Sequence, residues 1–151
     1  MIELPPEDIH IRPIGYVKRL SSGENVKDRD VVSKILVKRA LIKALDGVED
    51  FSHIYVVFWM HEISDTQKML VHPGEPPVGV LATRAPIRPN PIGLTLVELV
   101  KRKENVLWVR GLDAFDGTPV LDIKPYPDWE HGCLIVVTDF KVPKWLAKIT
   151  K

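Results

Sequence analysis

Two arginines, Arg84 and Arg88, stand in the segment Thr83-Arg84-Ala85-Pro86-Ile87-Arg88-Pro89-Asn90-Pro91-Ile92-Gly93. Each proline fixes φ and removes a backbone donor, and each pushes the residue before it (Ala85, Arg88, Asn90) away from helical geometry. The segment is therefore expected to be extended and stiff, with Gly93 allowing a sharp bend into the next strand. Guanidiniums on such a framework lose little entropy when an anionic ligand arrives, although a plain connector with solvated arginines has the same spacing. A second concentration of chemistry surrounds Gly117-Thr118-Pro119, where Asp113, Asp116 and Asp122 gather. Neighbouring carboxylates can divide acid and base work, while turn aspartates also hydrogen-bond to their own backbone. His61-Glu62 opens like a zinc-protease motif, but Asp65 stands where the second histidine belongs. His53, His61, His72 and Asp113 show no ligand spacing, so no metal is expected. Glycine-rich phosphate loops and a Gly-x-Ser-x-Gly elbow are both missing from the sequence. Arg84, Arg88 and Lys124 with His61, Tyr126 and Trp129 suit a nucleoside-like ligand that carries an anionic end.

Short strands must position these groups. Ile14–Val17 reads as the first strand, with Pro13 at its start, and Ser21-Ser22-Gly23-Glu24-Asn25 as a polar loop. Ser33–Val37 is expected to be a strand followed by a short helix near Lys38–Asp46 that Gly47 ends. Ile54–Met60 is continuously β-branched and aromatic, the pattern of a strand buried on both faces. His72–Pro77 is expected as an irregular loop and Val78–Ala82 as another strand. Leu94–Val100 and Val106–Leu112 flank a charged connector and make a hairpin. Val120–Ile123 is a further strand, Lys124-Pro125-Tyr126-Pro127 a second stiff loop, Cys133–Thr138 a last strand and Val142–Ile149 a terminal helix. The resulting fold class is mainly β: a single small barrel of mostly antiparallel strands with one or two short helices, one domain over 1–151 with its motif-bearing core at 14–138.

The totals exclude several classes. A net charge of +1 gives no global attraction to nucleic acid, although Lys141, Lys144, Lys148 and Lys151 make the tail locally basic. One cysteine, Cys133, allows no intrachain disulfide and no cysteine metal cluster. It reads as a core residue of a protein in a reducing, cytoplasmic setting. No secretory signal and no membrane-length apolar run is seen.

Two long motifs resemble one known family. Thr83-Arg84-x-Pro86-x-Arg88-Pro89-Asn90-Pro91-Ile92-Gly93-Leu94 and Asp113-x-x-Asp116-Gly117-Thr118-Pro119-Val120-Leu121-Asp122-Ile123-Lys124-Pro125-Tyr126 are similar to the hallmarks of the TsaA-like (TrmO) family. Ile14-Gly15-Tyr16-Val17 and the run from Phe51-Ser52-His53-Ile54 to His61 match in the same order, so the resemblance covers roughly Ile14 to Tyr126. It implies a β-barrel methyltransferase that uses S-adenosylmethionine and methylates N6 of threonylcarbamoyl-adenosine beside the anticodon of tRNA. It also implies a homodimer with the site near the subunit boundary. Carried over by motif, the cofactor positions are His61, Glu62, Arg84, Arg88, Asn90, Leu94, Arg110, Gly111, Leu112 and Asp113. Asp116 would then accept the N6 proton, with Lys124 and Tyr126 holding the substrate carboxylate or the base. The family's Pro-Arg-Gln-like segment after the first strand is replaced here by Ser21–Asn25, and longer members have an additional C-terminal domain. The alternatives are a barrel that uses the cofactor on another RNA base or a small molecule, and a non-catalytic ligand-sensing or RNA-binding module.

Overall fold

The computed structural model describes residues 8–20, 27–64, 70–72, 78–128 and 137–144. Its strands are β1 (Gly15–Arg19), β2 (Val32–Val37), β3 (His53–Trp59), β4 (Leu70–His72), β5 (Val78–Gly79), β6 (Ile92–Lys103), β7 (Val106–Arg110) and β8 (Pro119–Tyr126). Six of them close into an antiparallel barrel in the order β1-β2-β7-β6-β3-β8, while β4 and β5 pair separately. The fold class expected from the sequence is therefore the one found. The seam between β1 and β8 is short. Gly15 faces Val120 and Tyr16 faces Pro119, and Ile14 N–H donates to the Val120 carbonyl at 2.8 Å.

Alternation along the strands fills the interior. Val17, Ile35, Val37, Ile54, Val56, Phe58, Val97, Leu107, Val109 and Val120 point inward and are buried, as the two-residue period of a pleated strand requires. The apolar run of β3 belongs to this pattern and is not buried on both faces: Ile54, Val56 and Phe58 are buried, whereas Tyr55, Val57 and Trp59 are half-buried on the outer face. Gly93 is not at a bend. It lies within β6 opposite Phe58, and a Cβ there would stand 2.3 Å from the Phe58 ring. The missing side chain makes room for an aromatic ring in the barrel.

Other expectations shift in detail. The helix expected near Lys38–Asp46 is a 3-10 helix, Arg39–Leu45. Val78–Ala82 divides into β5 and a 3-10 turn, Val80–Ala82. His72 ends β4 rather than lying in a loop. β6 is twelve residues long, longer than expected on both sides of Leu94–Val100. β8 runs on through Lys124-Pro125-Tyr126, which was expected as a loop. Cys133–Val136 and residues 145–149 lie outside the described residues. Val137, Thr138 and 142–144 carry no strand or helix.

Candidate functional site

Strands of unequal length open the barrel at one end. β3 pairs with β6 from Ile92 to Glu98, whereas β7 joins β6 only from Glu98 onward. Among the described residues, the first half of β6 therefore has one edge without a neighbouring strand. Side chains reach that edge instead. Arg84 donates to the Leu94 carbonyl, Arg29 Nη2 donates to the Leu96 carbonyl at 3.3 Å, and the Thr95 hydroxyl donates to the Asp113 carboxylate.

A cavity of about 560 Å³ opens here, within the range of small-molecule sites. Its apolar wall comes from Phe58 and Met60 at the end of β3, from Ile92–Leu94 at the start of β6, and from Ala114 and Phe115. Its polar groups are Lys27, Glu62, Thr83, Arg84, Arg88, Thr95, Asp113 and Thr118. Phe115 is 50% exposed and Leu94 42%, so apolar surface stands ready to be covered by a ligand.

The proline-rich segment forms one wall, but it is bent through residues 86–90 rather than extended. Its own hydrogen bonds account for the shape. Arg88 Nη1 donates to the carbonyls of Thr83 at 3.0 Å and Ala85 at 3.3 Å, and Ala85 N–H donates to Thr83 Oγ1 at 3.2 Å. Arg88 thus braces the loop that carries it.

Five residues marked in the sequence line the cavity: Glu62, Arg84, Arg88, Leu94 and Asp113. His61, Asn90, Arg110, Gly111 and Leu112 do not. Arg110 Nη1 pairs with Glu98 Oε2 at 2.7 Å. Gly111 has φ 88°, a conformation that glycine tolerates best, and it turns the chain out of β7. Leu112 is buried in the core. Together Gly111 and Leu112 aim Asp113 at the cavity without touching it themselves.

The three residues expected to be catalytic lie elsewhere. Asp116 Oδ1 accepts the Arg19 N–H at 2.8 Å and Oδ2 pairs with Lys18 Nζ at 3.2 Å. The backbone donor first, and the ammonium second, hold its carboxyl below the usual aspartate range. Lys124 Nζ is 2.9 Å from Asp122 Oδ2. The Tyr126 ring meets Tyr55 edge-on at 5.9 Å. Tyr126 sits opposite His53, at the far end of β3 from Met60, about 20 Å along the strand at ~3.3 Å per residue. Within one chain these groups do not reach the cavity. Thr95 went unmarked in the sequence, although a hydroxyl in phase with Val97 and Leu99 on an inward-facing strand is a legible signal. Residues 21–25 and Trp129 lie outside the described residues. Among the described residues no three His, Cys, Asp or Glu side chains cluster as metal ligands would, and no helix is long and apolar enough to cross a membrane.

Comparisons place these features among known proteins. The family model of the tRNA-methyltransferase O N-terminal domain matches residues 23–129. A probable S-adenosyl-L-methionine-binding protein of Methanothermobacter thermautotrophicus is 44% identical over 125 residues, covering 79% of this chain and 90% of that protein. A tRNA (adenine(37)-N6)-methyltransferase of Mus musculus is 45% identical over 87 residues, 55% of this chain and 20% of that one. A crystal structure of TrmO superposes with a TM-score of 0.72 at 31% identity, over 89% of this chain. This chain spans 63% of the length of that one.

Proposed function

The chain belongs to the tRNA-methyltransferase O family, and from that premise we infer that it is an S-adenosylmethionine-dependent methyltransferase acting on N6 of a tRNA adenine. The finer reading is that the acceptor is the threonylcarbamoyl-adenosine beside the anticodon, modified by a homodimer in the cytoplasm. One observation carries the reading: the family's two long motifs, thirty residues apart in sequence at Arg84 and Asp113–Ala114, line one cavity at the open edge of β6.

The donor set fits the cofactor. Its apolar wall suits an adenine ring, the acids Glu62 and Asp113 suit a sulfonium and an ammonium, and Arg84 suits a carboxylate. When bound, the cofactor supplies an electrophilic methyl group on a cationic sulfur. The remaining work belongs to the chain. Leu94 and Phe115 exclude water from the apolar wall. Two acids, Glu62 and Asp113, stand among three basic groups, Lys27, Arg84 and Arg88, so the cationic and the anionic ends of one ligand can each find a partner. An N6 lone pair delocalised into the ring is a weak nucleophile, so its proton needs an acceptor. Asp113 is the aspartate at the cavity, and the Thr95 hydroxyl fixes the orientation of its carboxylate. We assign the acceptor role to the Asp113 carboxylate and a supporting role, bracing β1, to Asp116.

The test is labelled methyl transfer to two tRNA pools, one carrying threonylcarbamoyl-adenosine and one lacking it. Label beside the anticodon in the first pool alone is the expected result. Label in both pools replaces the acceptor with unmodified adenine, and label in neither overturns the reading.

A further inference from the structure

The outer face of β1, β2, β7 and β6 carries a second feature, outside the cavity lining. Register sets Lys18 opposite Lys34, Lys34 opposite Trp108, and Trp108 opposite Lys101. Four neighbouring strands thus hold one transverse row of three ammoniums and an indole. The inward neighbours Val17, Ile35, Leu107 and Val109 are buried, so the row faces outward. Lys34 Nζ lies 5.3 Å and Lys101 Nζ 4.6 Å from the centre of the Trp108 ring. Among the described residues, no carboxylate lies within ion-pair distance of Lys34 or Lys101. The nearby acids are engaged, Asp116 with Lys18 and Glu98 with Arg110.

Folding alone does not favour this arrangement. Like charges directly opposite on adjacent strands are destabilising, and one indole held between two ammoniums stabilises each only weakly at a surface. A polyanion reverses the sign of the first effect. The row spans three strand spacings, about 14 Å, enough for two or three successive phosphates of a nucleic-acid strand. It is also near the site, because Arg110, two residues beyond Trp108 on the same face, leads through Gly111 and Leu112 to Asp113 in the cavity wall.

We propose that Lys34 and Lys101, held at fixed spacing by Trp108, receive the phosphate backbone of the substrate RNA beside the base presented to the cavity. The proposal rests on the tRNA reading and deepens it, placing the RNA across the β2-β7-β6 face. Contacts of this kind position without reading sequence, so they act on affinity and on its salt dependence.

The experiment compares tRNA binding by the wild-type chain, by Lys34→Gln/Lys101→Gln, and by the control pair Lys141→Gln/Lys144→Gln, between about 50 and 200 mM salt. Losing two phosphate contacts is expected to flatten the slope of log affinity against log salt by about 1.5, and to weaken binding roughly tenfold at the middle of that range. S-adenosylmethionine binding should match wild type and the thermal midpoint should not fall below it, which separates the effect from misfolding. An unchanged slope, or an equal loss in the control pair, overturns the row as the RNA face. Failure of the wild-type chain to methylate any tRNA in the labelled-transfer experiment overturns the function itself, a result separate from the binding slopes.

Discussion

At the scale of single residues, the cavity turns on the Thr95–Asp113 hydrogen bond. Thr95 is buried, and valine has nearly its shape without the donor. Thr95→Val is therefore expected to fold normally and to reduce methyl transfer about tenfold or more, because a general base that is free to rotate loses most of its advantage. Steady-state kinetics beside calorimetric cofactor binding check this. A fall in cofactor affinity with turnover intact would make the pair a binding element instead. Asp116 illustrates the opposite case. Its carboxyl is held below its ordinary value of 3.8 by the Arg19 N–H and Lys18. A depressed carboxyl stabilises the fold above its unfolded pKa, and that stabilisation is lost as pH falls through the folded value. Thermal midpoints of wild type and Asp116→Asn should therefore differ at neutral pH and converge below about pH 3.8. Turnover per folded molecule should survive the substitution. Both aspartates sit in one motif with identical chemistry, and only the structure shows their different partners, β1 for Asp116 and Thr95 for Asp113.

At the scale of elements, strand length builds the site. β6 outruns β7, and the exposed edge that results recruits Arg84, Arg29 and Asp113. Apolar and β-branched runs made β2, β3 and the β6–β7 hairpin readable, whereas the alternation that turns one face of β3 inward is seen only in the structure. The ends were not readable. Pro91 and Gly93 argued for a break before Leu94, yet Gly93 is required within the strand by the Phe58 ring. Pro125 argued for a loop, yet it lies in β8 opposite Ile54, and Ser52, two residues before Ile54 and so in phase with it, accepts from Leu99 N–H of β6. By the alternation of an antiparallel pair, the donor that Pro125 lacks faces away from β3. Arg102 was read only as part of a charged connector. It donates to the carbonyls of Ile42, Leu45 and Glu104 and pairs with Asp46 and Glu49, tying the 3-10 helix to the hairpin through contacts between residues distant in sequence. Gly93→Ala is expected to cost about 1–3 kcal/mol of stability by overpacking against Phe58. Urea unfolding would show it, and adding Phe58→Leu should restore part of the loss.

At the scale of the whole molecule, the barrel offers two outer faces of contrasting character. One is the basic row across β1, β2, β7 and β6. The other lies on β3 and β6, where Trp59 faces Ile92, Val57 faces Leu94 and Tyr55 faces Leu96. Cross-strand apolar pairs on an outer surface are the material of a subunit contact, and this face adjoins the cavity through Ile92 and Leu94. Val57→Glu is expected to convert a dimer to a monomer by light scattering and to weaken cofactor binding with it; a monomeric wild type would dismiss the contact. The seam between β1 and β8 has a further consequence during synthesis. Gly15 meets Val120 only after roughly a hundred intervening residues have been made, which takes about 5–20 s at ribosomal rates of ~5–20 residues per second. Until β8 leaves the exit tunnel, the nascent sheet keeps a bare edge on β1 and another on β3, each able to pair with a neighbouring chain on the same polysome.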